Sequence, residues 1–397
     1  MQSNIDCIMD DLNEFPDSWV ELYNNSSADV NLGDFRLGVS VNAADSWQLP
    51  DSIIGSGMHV LIYCDKESQN LHTPFRLESG KGGEVYLFKE GIIIDRLTDL
   101  KKQPAPNIAY GRISDGADQW GYELSPTPGT SNNGKVCERN HILGNPLFSV
   151  EGQVLNEGES FQLILSQPED APEGTRIFYT TDGSEPTVTS EIYKEPIQIS
   201  ETMVIRAKML CEGWLSPISI VNSYIFFPRE LTLPLISIST DSRYLYDPKI
   251  GIYVSGSWQE GVDNFSFNWR RPINIEYFEG FHNKSILNQL CETRIAGSGT
   301  RPRYELKSMA IYANKRFGEK RFNYEFFPED KPGVSDFKSL VLRNSGTDFD
   351  NLYMRDAIVQ RVIARNVDVD WQAYSPAIFY INGVYKGIIN IRERGNE

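Results

Sequence analysis

The chain contains no apolar run approaching the roughly 20 residues that a membrane-spanning helix requires, so no span is expected. Its first residues, Met1-Gln2-Ser3-Asn4, lack the positive charge of a secretory signal; if the native protein is exported, its leader has been removed. Cysteine is scarce. Cys7, Cys64, Cys137, Cys211 and Cys291 lie far apart with no Cys-x-x-Cys pair, which argues against a zinc site or a disulfide scaffold. Buried thiols are expected; one or two disulfides at most could form, and the odd number leaves one thiol over. The cysteines therefore leave the compartment open. Histidine is scarcer still: His59, His72, His141 and His282 are scattered, without His-Glu-x-x-His or a nucleophile elbow. A histidine-based hydrolase or zinc enzyme has no support, and no metal ligands are assigned.

Positive charge is short in one half. The formal net charge is -16, and from Pro228 onward there are 23 Lys or Arg and 21 Asp or Glu. That leaves 15 and 33 of the totals 38 and 54 for residues 1–227, a net of minus 18. So acidic a half is repelled by nucleic acid and by anionic membranes, and neither is expected as a partner.

At 397 residues, with 40% hydrophobic and 12% aromatic residues, the chain is long enough for several cores and is not disordered in composition. From Ser18 it runs in short alternating segments: Trp19–Tyr23, Val60–Tyr63, Val85–Phe88 and Ile92–Ile94, separated by polar and glycine clusters. This pattern predicts a β-sandwich. Gly80-Lys81-Gly82-Gly83 lacks the spacing of a phosphate loop and lies between strands, so it reads as a hairpin turn. Trp19-Val-Glu-Leu-Tyr-Asn24, Trp47-Gln-Leu-Pro50, Trp120 and the segments 29–37, 111–116 and 127–132 resemble a lamin tail domain. The resemblance implies an immunoglobulin-like binding or spacer module over 1–135, with no catalytic residues.

Past a polar linker, residues 145–227 alternate again at Phe161–Leu165, Arg176–Tyr179, Ile197–Ile199 and Val204–Lys208. The run Ile177-Phe-Tyr-Thr-Thr-Asp-Gly-Ser-Glu-Pro-Thr187, followed by Tyr193 and Ile205-Arg-Ala-Lys208, resembles the chitobiase or hexosaminidase C-terminal domain, a fibronectin-like sandwich that accompanies catalytic domains. Asp182, Glu185 and Thr187 fall short of the roughly six to eight oxygens calcium takes, so Asp182-Gly183 reads as a turn. Trp47, Trp120 and Trp214 read as buried sandwich tryptophans before they read as sugar platforms.

The remaining stretch, 228–397, changes pattern. Leu340-Val-Leu342 is a short strand and 344–348 a turn cluster. Asp350 as N-cap, Met354, Ile358 and Val362 at every fourth position and Asn366 as terminator predict a helix. Ala377–Ile381 and Val384–Ile391 flank Asn382-Gly383, which suits a two-residue hairpin turn. Upstream, residues 294–321 carry eight Lys or Arg against two acids, around Gly297-Ser298-Gly299. Such a block is either a binding surface or a solvated face.

Leu233-Pro234, Gly251-Ile-Tyr-Val254, Arg271-Pro-Ile-Asn-Ile-Glu-Tyr-Phe278, Arg294 to Ser308, Leu342-Arg-Asn-Ser-Gly-Thr-Asp348, Met354-Arg-Asp-Ala357, Asn382–Gly387 and Arg392-Glu393 together resemble the CotH kinase family. By analogy with protein kinases, this implies the smaller lobe, a sheet with one helix against it that grips nucleotide phosphates. Arg294, Arg301 and Lys307 would be the phosphate partners. Alternatively, Lys307 pairs with Asp356 or Glu393 to brace helix against sheet, as kinases arrange their equivalent pair. Carboxylates that hold magnesium would belong to a larger lobe after the hairpin, beyond Glu397.

The expected fold is therefore mainly β: two immunoglobulin- or fibronectin-like sandwiches, then an α+β kinase-like lobe. Two functions stay open. One is the N-terminal portion of an exported or surface kinase using ATP and magnesium, inactive in this chain alone. The other is a non-catalytic adhesion or scaffold protein whose partner is a surface or secreted protein or a glycan.

Overall fold

The computed structural model describes residues 1–138, 140–256, 261–363 and 366–394. It is mainly β, and its contacts divide it into two compact units: 1–143 with 211–217, and 144–210 with 218–397.

In the first unit the predicted strands form. Ser18–Tyr23 pairs antiparallel with His59–Cys64, and a four-stranded sheet runs Trp47–Gln48, Phe35–Gly38, Gly83–Lys89, Ile92–Leu100. Alternation sends Tyr86 and Phe88 inward. The core gathers Leu32, Leu37, Leu49, Ile54 and Ile62. Gly80 to Gly82 is a turn leading into a strand, whereas the hairpin is made by Glu90-Gly91, whose φ angles of 51° and 78° suit a two-residue turn. Cys7, Cys64, Cys137 and Cys291 are thiols, the last three buried, and no disulfide forms among the described residues. The tryptophans are less buried than expected: Trp47, Trp120 and Trp214 are all half-buried.

In the second unit a five-stranded sheet runs Gln153–Asn156, Ile220–Phe227, Met203–Leu210, Arg176–Thr180, Glu191–Ile192. Asp182-Gly183 is a turn, with Gly183 at φ 79° and Asp182 Oδ1 accepting from the Ser184 N–H at 3.0 Å. Glu185 is committed to Lys208 (2.9 Å) and Arg206 (3.3 Å), so the oxygens once weighed for calcium face protein partners instead.

The rest of this unit is a seven-stranded closed barrel. Its strands are β1 (Leu235–Ser239), β2 (Arg271–Phe278), β3 (Leu287–Ile295), β4 (Met309–Tyr312), β5 (Ser339–Arg343), β6 (Tyr374–Ile381) and β7 (Val384–Glu393). They follow the order β1-β2-β3-β4-β5-β7-β6. Closure comes from parallel pairing of β6 with β1, Leu235 opposite Ile378. The expected open sheet with a helix against it is thus corrected to a barrel: alternation reports faces, not which edges meet. One apolar cluster, Val154, Ile225, Phe227, Leu235, Phe278, Ile378 and Tyr380, spans the five-stranded sheet and the barrel, crossing Phe227-Pro228.

The hairpin forms at Asn382 (φ 47°) and Gly383 (φ 75°). Asn382 also pins it to β1, accepting from the Thr240 N–H (2.8 Å) and donating to the Thr240 carbonyl (2.9 Å). The helix is shorter than predicted, Arg355–Val362. Asp348, not Asp350, accepts from its first N–H at 2.9 Å, while Asp350 lies 3.6 Å from Arg303. Met354, Ile358 and Val362 are exposed, and Ala357 is the residue the helix buries. Spacing by four marked one face of the helix correctly, but that face is not the buried one.

Candidate functional site

Pairing of Ile295 with Met309 and the Ala296 N–H to Ser308 carbonyl bond (2.8 Å) close the β3–β4 connection at the base of the glycine turn. Gly297, at φ 83°, takes the left-handed conformation that makes the turn possible. At its base, Ser308 Oγ donates to Asn344 Oδ1 at 2.8 Å, both residues buried, tying the turn to the end of β5.

The three predicted cations converge on one segment. Arg301 Nη1 donates to the carbonyls of Phe265 (3.0 Å) and Ser266 (3.1 Å), and Arg294 Nη1 donates to Asn268 Oδ1 (2.7 Å). Lys307 Nζ lies 4.5 Å from the Phe265 ring centre and donates to the carbonyls of Arg301 (2.6 Å) and Tyr304 (3.3 Å). Its own N–H donates to the Tyr253 hydroxyl at 2.9 Å. Burial lowers the pKa of Lys307, with Asp263 opposing it; burial, then Arg294, lowers that of Arg301. A guanidinium lowered by burial and by a neighbouring cation gains from an added anion.

Asp356 and Glu393 do not join them. Asp356 Oδ2 accepts from Arg392 at 2.7 Å and lies 3.5 Å from Arg343; Glu393 pairs with Lys331. In the ladder, Glu393 lies level with Leu340 and so with Ile311, four residues beyond Lys307, about 13 Å along the strand direction. The brace between Lys307 and either acid is therefore corrected. What holds helix to barrel is Asp356 with Arg392, and Arg361 with Asp330 (3.0 Å).

Arg392 is the residue sequence reasoning missed. It is 2% exposed, its Nε and Nη1 have no hydrogen-bond partner among the described residues, and it lies 4.9 Å from the Tyr374 ring centre. The signal was the alternation Ile389-Asn-Ile-Arg392, in which the polar positions are as buried as the apolar ones. Acids in this region are likewise committed: Glu292 is held by Arg270 (3.0 Å), Asn314 (2.7 Å) and Arg316. In the first unit, a cavity of about 530 Å³ is lined by Trp19, Glu21, Tyr110, Trp120 and Glu123. Tyr110 stacks on Trp120 (5.9 Å between centres) and Arg112 lies 4.5 Å over its ring, so the Trp120 faces already have protein neighbours.

Residues 155–217 match the family model of the chitobiase/beta-hexosaminidase C-terminal domain, and residues 294–397 match that of the CotH kinase protein. No curated protein matches the chain. Among solved structures, surface layer protein SbsC, domains 4–9, aligns at 9% identity over 82% of this chain with a TM-score of 0.15, too low for a shared fold. The alignment covers 47% of that protein's length. A carbohydrate-associated domain of chitobiase type and a CotH-type kinase domain are thus carried on one modular, mainly-β chain.

Proposed function

We propose that this chain belongs to a modular exported or cell-surface protein of CotH type, and that its barrel holds nucleotide phosphates without transferring them. The observation that carries this reading is the convergence of Arg294, Arg301 and Lys307 on 265–268 beside the Gly297 turn, inside the segment that matches the CotH family. Backbone N–H groups of such a turn and flanking guanidinium groups suit phosphate oxygens. Inactivity is supported by the acids Glu292, Asp330, Asp356 and Glu393, which have cationic partners and are poorly placed to take magnesium. The complete kinase would use ATP and magnesium with carboxylates from outside this chain. The first unit, lamin-tail-like by its sequence, and the chitobiase-type sandwich would present the kinase to a surface or secreted protein or to a glycan.

A non-catalytic scaffold is favoured by one detail: the Lys307 ammonium already donates to two carbonyls and is 8% exposed. Titration with ATP and magnesium, read by thermal unfolding, separates the readings. The phosphate site requires a ligand-dependent rise in Tm that Arg294→Ala and Arg301→Ala reduce and Lys307→Ala abolishes. No rise at millimolar nucleotide leaves the scaffold, and magnesium-dependent incorporation of labelled phosphate would refute the inactivity.

A further inference from the structure

The first unit brings together residues that the sequence keeps far apart. His72 is fully buried, and both ring nitrogens face carboxylates: Nδ1 lies 2.6 Å from Asp65 Oδ2 and Nε2 lies 2.7 Å from Asp11 Oδ1. Asp10 is buried beside them, and one donor atom from each of Asp10, Asp65 and His72 lies within 4.8 Å of the other two. Metal bonds of about 2.0–2.2 Å put neighbouring donors on a tetrahedral ion roughly 3.3–3.6 Å apart, so binding draws the widest pair of this cluster in by about an ångström and opens the 2.6 Å contact between His72 and Asp65.

Charge gives the second argument. A neutral imidazole has one N–H, so it can donate to one of these carboxylates while its other ring nitrogen keeps a lone pair free for a ligand bond. Asp10 and Asp65 are buried and pair with no lysine or arginine side chain among the described residues, whereas Asp11 is half exposed and solvated. Arg76, which reaches the same loop, is committed to Asp17 (2.7 Å) and to the main-chain carbonyl of Asp65 (3.2 Å). Two buried carboxylates facing one imidazole form a donor set that a divalent ion can satisfy. The donor set also has the layout of histidine metal sites, in which the second ring nitrogen donates to an outer carboxylate.

We infer that Asp10, Asp65 and His72 ligate a divalent transition cation, Mn²⁺ or Zn²⁺, with Asp11 orienting the imidazole from its far nitrogen. One imidazole among carboxylates suits these ions better than magnesium or calcium, which prefer oxygen alone. The ion ties the N-terminal loop at Asp10 to the connection after the strand His59–Cys64.

The test uses the full chain, stripped with chelator and dialysed against Mn²⁺, Zn²⁺, Mg²⁺ or Ca²⁺ singly. The expected result is one Mn²⁺ or Zn²⁺ per chain, a raised Tm, and nitrogen coupling from one imidazole in the pulsed electron-spin spectrum of the Mn²⁺ form. Asp10→Asn, nearly isosteric, removes binding, and Asp11→Asn weakens it about 10–100-fold. His72→Gln removes the nitrogen signal; should that variant fail to fold, the wild-type spectrum and Asp10→Asn decide the matter. Uptake without nitrogen coupling, uptake unchanged in Asp10→Asn, or no stoichiometric uptake by the folded wild type overturns the inference.

Discussion

The first unit and the barrel solve the problem of burial differently. The core of Leu32, Leu37, Leu49, Ile54 and Ile62 is aliphatic, whereas the barrel strands also bury Arg271, Glu276, Glu292 and Arg392, none more than 2% exposed. An aliphatic core is stabilised by area alone and is indifferent to pH. A core with ions in it depends on each partner and on the protonation of each. Net charge conceals this: the acidic half keeps most of its excess in solvent, while the nearly balanced half folds some of its charges inward.

The largest break in that comparison is Glu292→Ala. Burial pushes the Glu292 carboxyl up, but Arg316, Asn314 and Arg270 outweigh it and leave it below its ordinary value, the mark of a buried carboxylate held ionised. Removing it strands Arg316 and should cost about 3–5 kcal/mol in urea unfolding. Leu37→Ala in the sandwich should cost a similar amount through its cavity, yet with no dependence on salt or pH. Equal salt dependence of the two variants would erase the distinction.

A somewhat smaller effect should appear with pH. Glu276 is fully buried, its Oε1 accepts from the Ser223 N–H at 3.1 Å and its Oε2 has no hydrogen-bond partner among the described residues, and burial pushes its pKa up to about 7. Between about 4.5 and 7 the folded state therefore binds a proton that the unfolded state releases, so stability falls as pH rises through this window. The loss should be on the order of 3 kcal/mol. Glu276→Gln, which keeps the shape and removes the charge, should flatten the profile and stabilise the protein at pH 8. A wild-type Tm that climbs from pH 5 to 8 while the Gln variant follows it would sink this assignment.

The smallest effect sharpens the comparison from outside. Ile358→Ser lies on the exposed row of the helix and should change stability by no more than about 0.5 kcal/mol. Ala357→Leu, one position away on the buried side, should overpack and cost about 1–3 kcal/mol. Reversal of the two would return Met354, Ile358 and Val362 to the core.

How legible this was varied with the range of the interaction. Asn382-Gly383 determines its own turn because the positive φ angles belong to those two residues, and the strands around Trp19, Val85 and Leu340 declare themselves by alternation. The cations at 294–307 were visible because short loops between paired strands keep sequence neighbours together. The helix start was misplaced because Asp348 and Asp350 are equally good caps, and a turn with Ser345 at φ 69° decides which one reaches the Arg355 N–H.

By itself, then, the sequence determined strand positions, the hairpin, the cationic turn and the absence of a membrane-spanning helix among the described residues, since each rests on backbone preference or on spacing within a few residues. Tertiary structure alone decided that the C-terminal sheet closes into a barrel, because edge pairing of Leu235 with Ile378 joins residues 143 positions apart. It alone separated Lys307 from Asp356 and Glu393, buried Arg392, and set His72 between Asp11 and Asp65. Those outcomes depend on which desolvated charges find one another, a condition set by packing in three dimensions that no local pattern encodes.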